Sequence, residues 1–258
     1  MKLSSLILAS VLSTGCIAKK MAVSNADSLL AHQVNKKLQL KDKEFDLLKK
    51  DIAGFLNQSK PKVKNLTAII GAIDLEMPQR LPDDYAALEG FYKEIANEFT
   101  DEVLVERIAR LDGDQQKQLL ETVQNENKKI MKQTPGERVE GVTKRFNMLF
   151  DEIEKPQRDI LNSQQDYFMS QAKARLERRT RLQESLKNLF SEKLETADKE
   201  NRLKVLMRQH QAEAIKGNKT LEILQAIVPT LTSAQKKAFK KNAKEIIGLL
   251  EHLSKTKY

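Results

Sequence analysis

The sequence predicts an all-α protein: an elongated bundle of antiparallel helices with one long central helix. Three observations carry this expectation. Apolar residues recur at i, i+3, i+4 and i+7 through most of the 258 residues. Only 9 Gly and 6 Pro punctuate the chain, fewer than the turns of an all-β fold require. No segment alternates convincingly between apolar and polar residues; Leu66 to Ile73 is apolar enough for a strand, but its helical neighbours favour a buried helix.

Each helix is justified in chain order. Residues 42–57 place Phe45, Leu48, Ile52, Phe55 and Leu56 on one face. Pro82, followed by Asp83 and Asp84, opens a helix whose positive dipole end favours acids, and Thr100-Asp101-Glu102 predicts a short helix start by the same logic. Residues 113–133 carry Leu119, Leu120, Val123, Ile130 and Met131. Thr134-Pro135-Gly136-Glu137 is a capping box, and Val139, Val142, Phe146, Leu149, Phe150 and Ile153 follow it. Residues 156–191 read as one long, highly charged helix with a narrow stripe of Ile160, Leu161, Phe168, Ala172, Leu182, Leu186 and Leu189. Gly217-Asn218 separates helices at 195–215 and 219–228, and Pro229 closes the second. The last helix carries Phe239, Ala243, Ile246, Ile247, Leu250 and Leu253. No Ser/Gly-rich linker interrupts this series, so residues 26–258 are expected to form a single all-helical domain.

The N-terminus has a different character. Lys2 precedes a ten-residue apolar run, Leu3 to Leu12, about half of the roughly 20 residues that cross a bilayer. It therefore reads as the core of a secretory signal. The only cysteine, Cys16, follows Ser13, Thr14 and Gly15, and a single cysteine excludes both an internal disulfide framework and a Cys-rich zinc site. The arrangement resembles a bacterial lipobox. That resemblance implies removal of residues 1–15 as a lipoprotein signal peptide, acylation of Cys16, and a flexible tether over 16–25. The alternative is an ordinary signal cleaved near Ala18, which discards Cys16. Ile17, not Asp, follows the cysteine, a pattern that in enterobacterial lipoproteins implies the outer membrane, facing the periplasm. Loss of Lys2 with the signal lowers the net charge from +9 to +8.

Four helix starts share a form. Leu111-Asp112-Gly113-Asp114-Gln115 and Leu231-Thr232-Ser233-Ala234-Gln235 each give an apolar residue, a cap, two variable residues and a Gln. Ile153-Glu154-Lys155-Pro156-Gln157 is a weaker copy and Leu40-Lys41-Asp42-Lys43-Glu44 weaker still. Asp112 and Thr232 can accept from the first turn, while Gln115 and Gln235 reach back to the cap N–H. Their irregular spacing excludes a regular solenoid. Such boxes are also ordinary helix starts. The L-T-x-x-Q form is similar to the motif of the Spy and CpxP periplasmic chaperones. The order of the four boxes resembles a family of helical bacterial lipoproteins of unknown function. That resemblance implies an envelope protein and supplies no established activity.

Catalytic chemistry has no clear carrier. His32, His210 and His252 are scattered, without a second His or Cys at metal-ligand spacing. Gly217-Asn218-Lys219-Thr220 lacks the Gly-Lys pair, the earlier glycine and the strand of a phosphate loop. No G-x-S-x-G occurs, and carboxylates alternate with lysines as on solvated helix faces. A non-enzyme is expected, with no metal, no cofactor and no small-molecule substrate identified.

The basic excess concentrates in two clusters. Lys173, Arg175, Arg178, Arg179 and Arg181 lie on the long helix, and Lys236, Lys237, Lys240 and Lys241 start the last one. Outside the cytoplasm such a surface suits anionic lipid headgroups or acidic polymers rather than nucleic acid. The alternative is a mixed solvated face, with Glu177, Glu184 and Glu192 interspersed. Met131, Met148, Met169 and Met207 are candidates for an adaptable apolar groove, or for core filler. The expected function is a membrane-anchored, non-catalytic helical binding protein of the envelope, chaperone-like toward client proteins. The alternative is a structural adaptor that docks an anionic polymer or lipid through its basic helices.

Overall fold

Apolar spacing becomes helix almost throughout the computed structural model, which describes residues 16–214 and 217–258; the expected signal, 1–15, lies outside them. The described residues are all-α, with no strand among them. The helices are α1 (Cys16–Ser24), α2 (Ala26–Leu38), α3 (Asp42–Gln58), α4 (Lys60–Ala72), α5 (Leu81–Phe99), α6 (Val105–Ala109) and α7 (Gly113–Lys132). They continue with α8 (Pro135–Phe150), α9 (Lys155–Ser163), α10 (Gln165–Ser191), α11 (Thr196–Glu213), α12 (Thr220–Ile227) and α13 (Ser233–Lys255).

Capping chemistry sets several of these boundaries. Asp112, Thr134 and Thr232 each sit in extended backbone and accept from the amide three residues on, as their spacing implies. Pro229 lies in a short 3₁₀ turn, Val228–Thr230, that ends α12. Gly217 turns the chain before α12 at φ +70°, where a side chain would strain the backbone.

Two expectations change. The long helix is broken at Gln164, between α9 and α10. There Gln164 leaves the helical ladder, its amide donating to the Leu161 carbonyl at 3.1 Å. Thr100 does not start a helix: its hydroxyl donates to Ala96 O at 2.8 Å, and Thr100–Leu104 forms a π-turn that carries α5 into α6. Within the expected tether, residues 16–25, the backbone is largely helical. Cys16–Ser24 is α1, which packs along α13 and buries Val23.

Apolar burial gathers in two clusters. The first joins Leu30 and Val34 of α2, Leu48 and Ile52 of α3, Val103 and Ile108 around α6, Leu119 of α7, Leu186 and Leu189 of α10 and Leu203 of α11. Leu48 and Ile52 are fully buried, each worth about 1.5–3 kcal/mol of transfer free energy. The second joins Phe146 and Phe150 of α8, Ile153, Leu161 of α9, Ile223 and Ile227 of α12, and Leu231. Phe150 stacks between Phe146 and Phe239, at centroid distances of 5.9 and 5.8 Å. Helix α10 links them: Tyr167 and Phe168 at its start pack on the second cluster, and Leu186 and Leu189 near its end belong to the first. Its 27 residues span about 40 Å.

Candidate functional site

The four helix starts come together in two crossed pairs. In the first, Gln115 Oε1 accepts from its cap, Asp112 N, at 2.9 Å, while its amide crosses to Glu44 Oε2 at 2.7 Å and Gln39 O at 3.2 Å. Glu44 Oε2 in turn accepts from Lys41 N at 2.8 Å. In the second, Gln157 Oε1 accepts from Glu154 N at 2.7 Å, and its amide crosses to Thr230 O at 2.7 Å. Gln235 returns the contact: Oε1 accepts from Thr232 N at 2.9 Å and Nε2 donates to Glu152 O at 2.7 Å. Each crossing glutamine thus reaches the carbonyl two residues before the opposite cap.

Burial shows what these pairs do. Gln157 is 0% exposed, Gln115 4% and Gln235 5%, and the preceding Leu40, Leu111, Ile153 and Leu231 are all buried. A buried amide that satisfies its own cap and an opposite carbonyl acts as a crosslink between helix starts. Lys41 cannot cap its own helix, since an ammonium has no acceptor; it donates to Asp112 Oδ2 at 2.7 Å instead. That hydrogen bond raises the Lys41 ammonium and holds the Asp112 carboxyl below its ordinary value. The boxes are fold-defining staples, each set in one of the two apolar clusters.

The basic cluster of α10 divides into different environments. Arg179 is 8% exposed: Nε donates to Asn127 Oδ1 at 2.6 Å and a terminal nitrogen to Glu126 Oε2 at 2.7 Å. Lys37 binds the other Glu126 oxygen. Burial pushes the Glu126 carboxyl up, but Lys37 and Arg179 together hold it below its ordinary value. Arg181 pairs with Glu213 at 2.6 Å, Arg178 is half-buried, and Lys173 is exposed. Arg179 therefore belongs to the interior, not to a basic surface.

Arg175 differs again. It is half-buried and makes no hydrogen bond or ion pair. Burial lowers its proton affinity, Arg179 adds to this, Glu126 opposes it, and Arg145 and Arg138 of α8 lower it further. A guanidinium remains charged under such pressure. Arg145 is exposed and likewise unpaired. Arg138 donates to Ile130 O at the C-terminal end of α7, and its buried Nε has no partner. Arg138 and Arg145 were missed in the sequence because they lie one helix away. Their seven-residue separation, which puts both on one face of α8, was the available signal.

On α13, Lys236 pairs with Glu76 at 2.7 Å and Lys240 approaches Asp74 at 3.8 Å. Lys237 and Lys241 are exposed and unpaired. Among the candidate methionines Met131 is 69% exposed, Met148 and Met169 are half-buried, and Met207 is core. The histidines stay apart. His252 Nε2 meets Ser24 Oγ at 2.9 Å, His32 packs on Phe45, and burial with Arg178 and Arg179 nearby pushes His210 down to about 4.

Among the described residues no group of His, Cys, Asp and Glu could hold a metal ion, and no helix is long and apolar enough to cross a membrane. In comparisons with protein-family models, curated proteins and solved structures, nothing matches the chain significantly.

Proposed function

We propose that the chain is a non-catalytic binding protein of the bacterial envelope, lipid-anchored through Cys16, that holds an anionic polymer or lipid against α8 and α10. The observation that carries the ligand class is the convergence of Arg138, Arg145 and Arg175 from the two helices. The nearby carboxylate, Glu126, is already engaged by Lys37 and Arg179. Arg175 is half-buried without a partner, Arg145 is exposed and unpaired, and Arg138 has a free Nε; such guanidinium groups are suited to phosphate or carboxylate oxygens, which accept their paired donors. The lipobox resemblance and the L-T-x-x-Q-like boxes support the compartment.

The test uses linear polyphosphate as the probe. Reversing Arg145 and Arg175 together to Glu is expected to weaken binding by tenfold or more, at about 1 kcal/mol per cation near an anionic surface. The thermal midpoint should hold, because neither side chain makes a hydrogen bond in the fold. Unchanged affinity would remove this site. For the anchor, Cys16→Ser is expected to move the protein into the soluble fraction under a high-salt wash. Retention on membranes would mean that something other than lipid holds it.

A chaperone-like reading has its own observation: Met21, Met77 and Met131 are 63%, 36% and 69% exposed. Methionine thioethers adapt to irregular apolar clients. Stoichiometric suppression of client aggregation without ATP is its expected result, and no suppression across several clients would exclude it.

A further inference from the structure

The packing of α1 determines where the anchor emerges. Lys19 Nζ meets Glu245 Oε2 at 3.1 Å, and Ser24 Oγ meets His252 Nε2 at 2.9 Å, so α1 and α13 run in the same direction. Tyr258 closes the arrangement by donating its hydroxyl to Val23 O at 2.7 Å. Cys16 lies about one turn before Lys19, which brings it level with the turn of α13 around Lys241. No slack segment separates the cysteine from the folded body.

That turn of α13 carries a continuous basic stripe. Lys237, Lys241 and Lys244 fall at i, i+4 and i+7, all exposed and all without an ion pair. On the adjacent face Lys236 and Lys240 have Glu76 and Asp74 as counter-charges, and Glu245, one turn after Lys241, pairs with Lys19 rather than with the stripe. Across α1, Lys20 is exposed and unpaired as well. A cavity of about 420 Å³ opens between the two helices, lined by Lys19, Lys20, His252 and Lys255 together with the carboxylates Glu245 and Glu251.

We infer that the Lys237, Lys241 and Lys244 stripe with Lys20 is a membrane-contact surface that lies on anionic lipid headgroups beside the Cys16 anchor. The inference rests on the anchor reading above and adds an orientation to it. A lipid chain fixes only one point, whereas a basic face next to it holds α13 along the leaflet. Chain insertion and headgroup attraction are independent contributions to membrane binding.

The test separates the two contributions. The purified Cys16→Ser chain is mixed with phosphatidylcholine vesicles and with vesicles that also contain phosphatidylglycerol. Preferential binding to the anionic vesicles is expected, and it should fall roughly 100-fold in a K237Q/K241Q/K244Q variant, about fivefold per lysine. A circular dichroism spectrum and melting curve check that the variant keeps its fold, which exposed, unpaired lysines predict. Equal binding to both vesicles, or an unchanged preference in the triple variant, overturns the stripe while leaving the anchor intact. The mass of the mature N-terminal peptide from the wild-type protein decides the anchor separately. A Cys16 without acyl chains overturns the anchor, and this inference with it.

Discussion

Gln157→Ala is expected to lower stability by about 2–4 kcal/mol, the range for a buried polar network that loses its centre and leaves a cavity. The side chain is fully buried, and its removal strands the Glu154 N–H and the Thr230 carbonyl, each paired through it at 2.7 Å. Gln235 also loses the contact at 3.4 Å, so Gln157→Ala and Gln235→Ala should be non-additive in a double-mutant cycle. Hydrogen exchange gives the local reading: α8, α9 and α12 should open more readily, with α2 and α3 much less affected. The equivalent position in the first pair behaves differently. Glu44 is an acceptor for both Lys41 N and the Gln115 amide, and a Gln oxygen accepts equally, so Glu44→Gln should change stability by about 0.5 kcal/mol or less. A cost at Glu44→Gln as large as that at Gln157→Ala would show that the first pair needs the carboxylate charge and not only an acceptor.

The second large effect is expected at Arg179. Arg179→Met keeps the volume and removes the donors, which leaves the Asn127 carbonyl unsatisfied among buried neighbours. Breaking a fully buried ion pair costs about 3–5 kcal/mol. Here Glu126 retains Lys37 and its side chain is 35% exposed, so about 2–3 kcal/mol is expected after solvent screening. The pH dependence provides the sign. Glu126 has a depressed folded-state pKa, so its contribution is present above the unfolded value and is lost as pH falls through the folded one. Urea midpoints for the wild type should therefore drop on acidification through the carboxylate range more than those for the variant. Parallel curves would show that the pair contributes nothing through charge.

Much of the fold was legible because local chemistry and tertiary packing agree. Asp112, Thr134 and Thr232 cap where their spacing implies, and the apolar stripes of residues 42–57 and 113–133 become α3 and α7. The break at Gln164 was hidden, since Ser163 continues the helical pattern and no Gly or Pro marks the interruption. The pairing of the boxes was visible only as two similar intervals: the paired starts lie 71 and 78 residues apart. Sequence spacing cannot show which glutamine crosses to which carbonyl, because that depends on the docking of distant helices. Arg179 had a readable signal. It falls three and seven residues before Leu182 and Leu186, on the apolar stripe, where an arginine must be buried with a partner. The charge density around it masked that register. Arg145 and Arg175 were separated by a helix boundary, so their convergence required the three-dimensional contact between α8 and α10.

The most direct measurement is the affinity of the wild-type protein for linear polyphosphate as a function of salt concentration. Binding through the arginines of α8 and α10 predicts a log–log slope of roughly −2, about 0.7 per neutralised phosphate for three cations. Affinity that is independent of salt, or no binding at low ionic strength, would contradict an anionic ligand for this face.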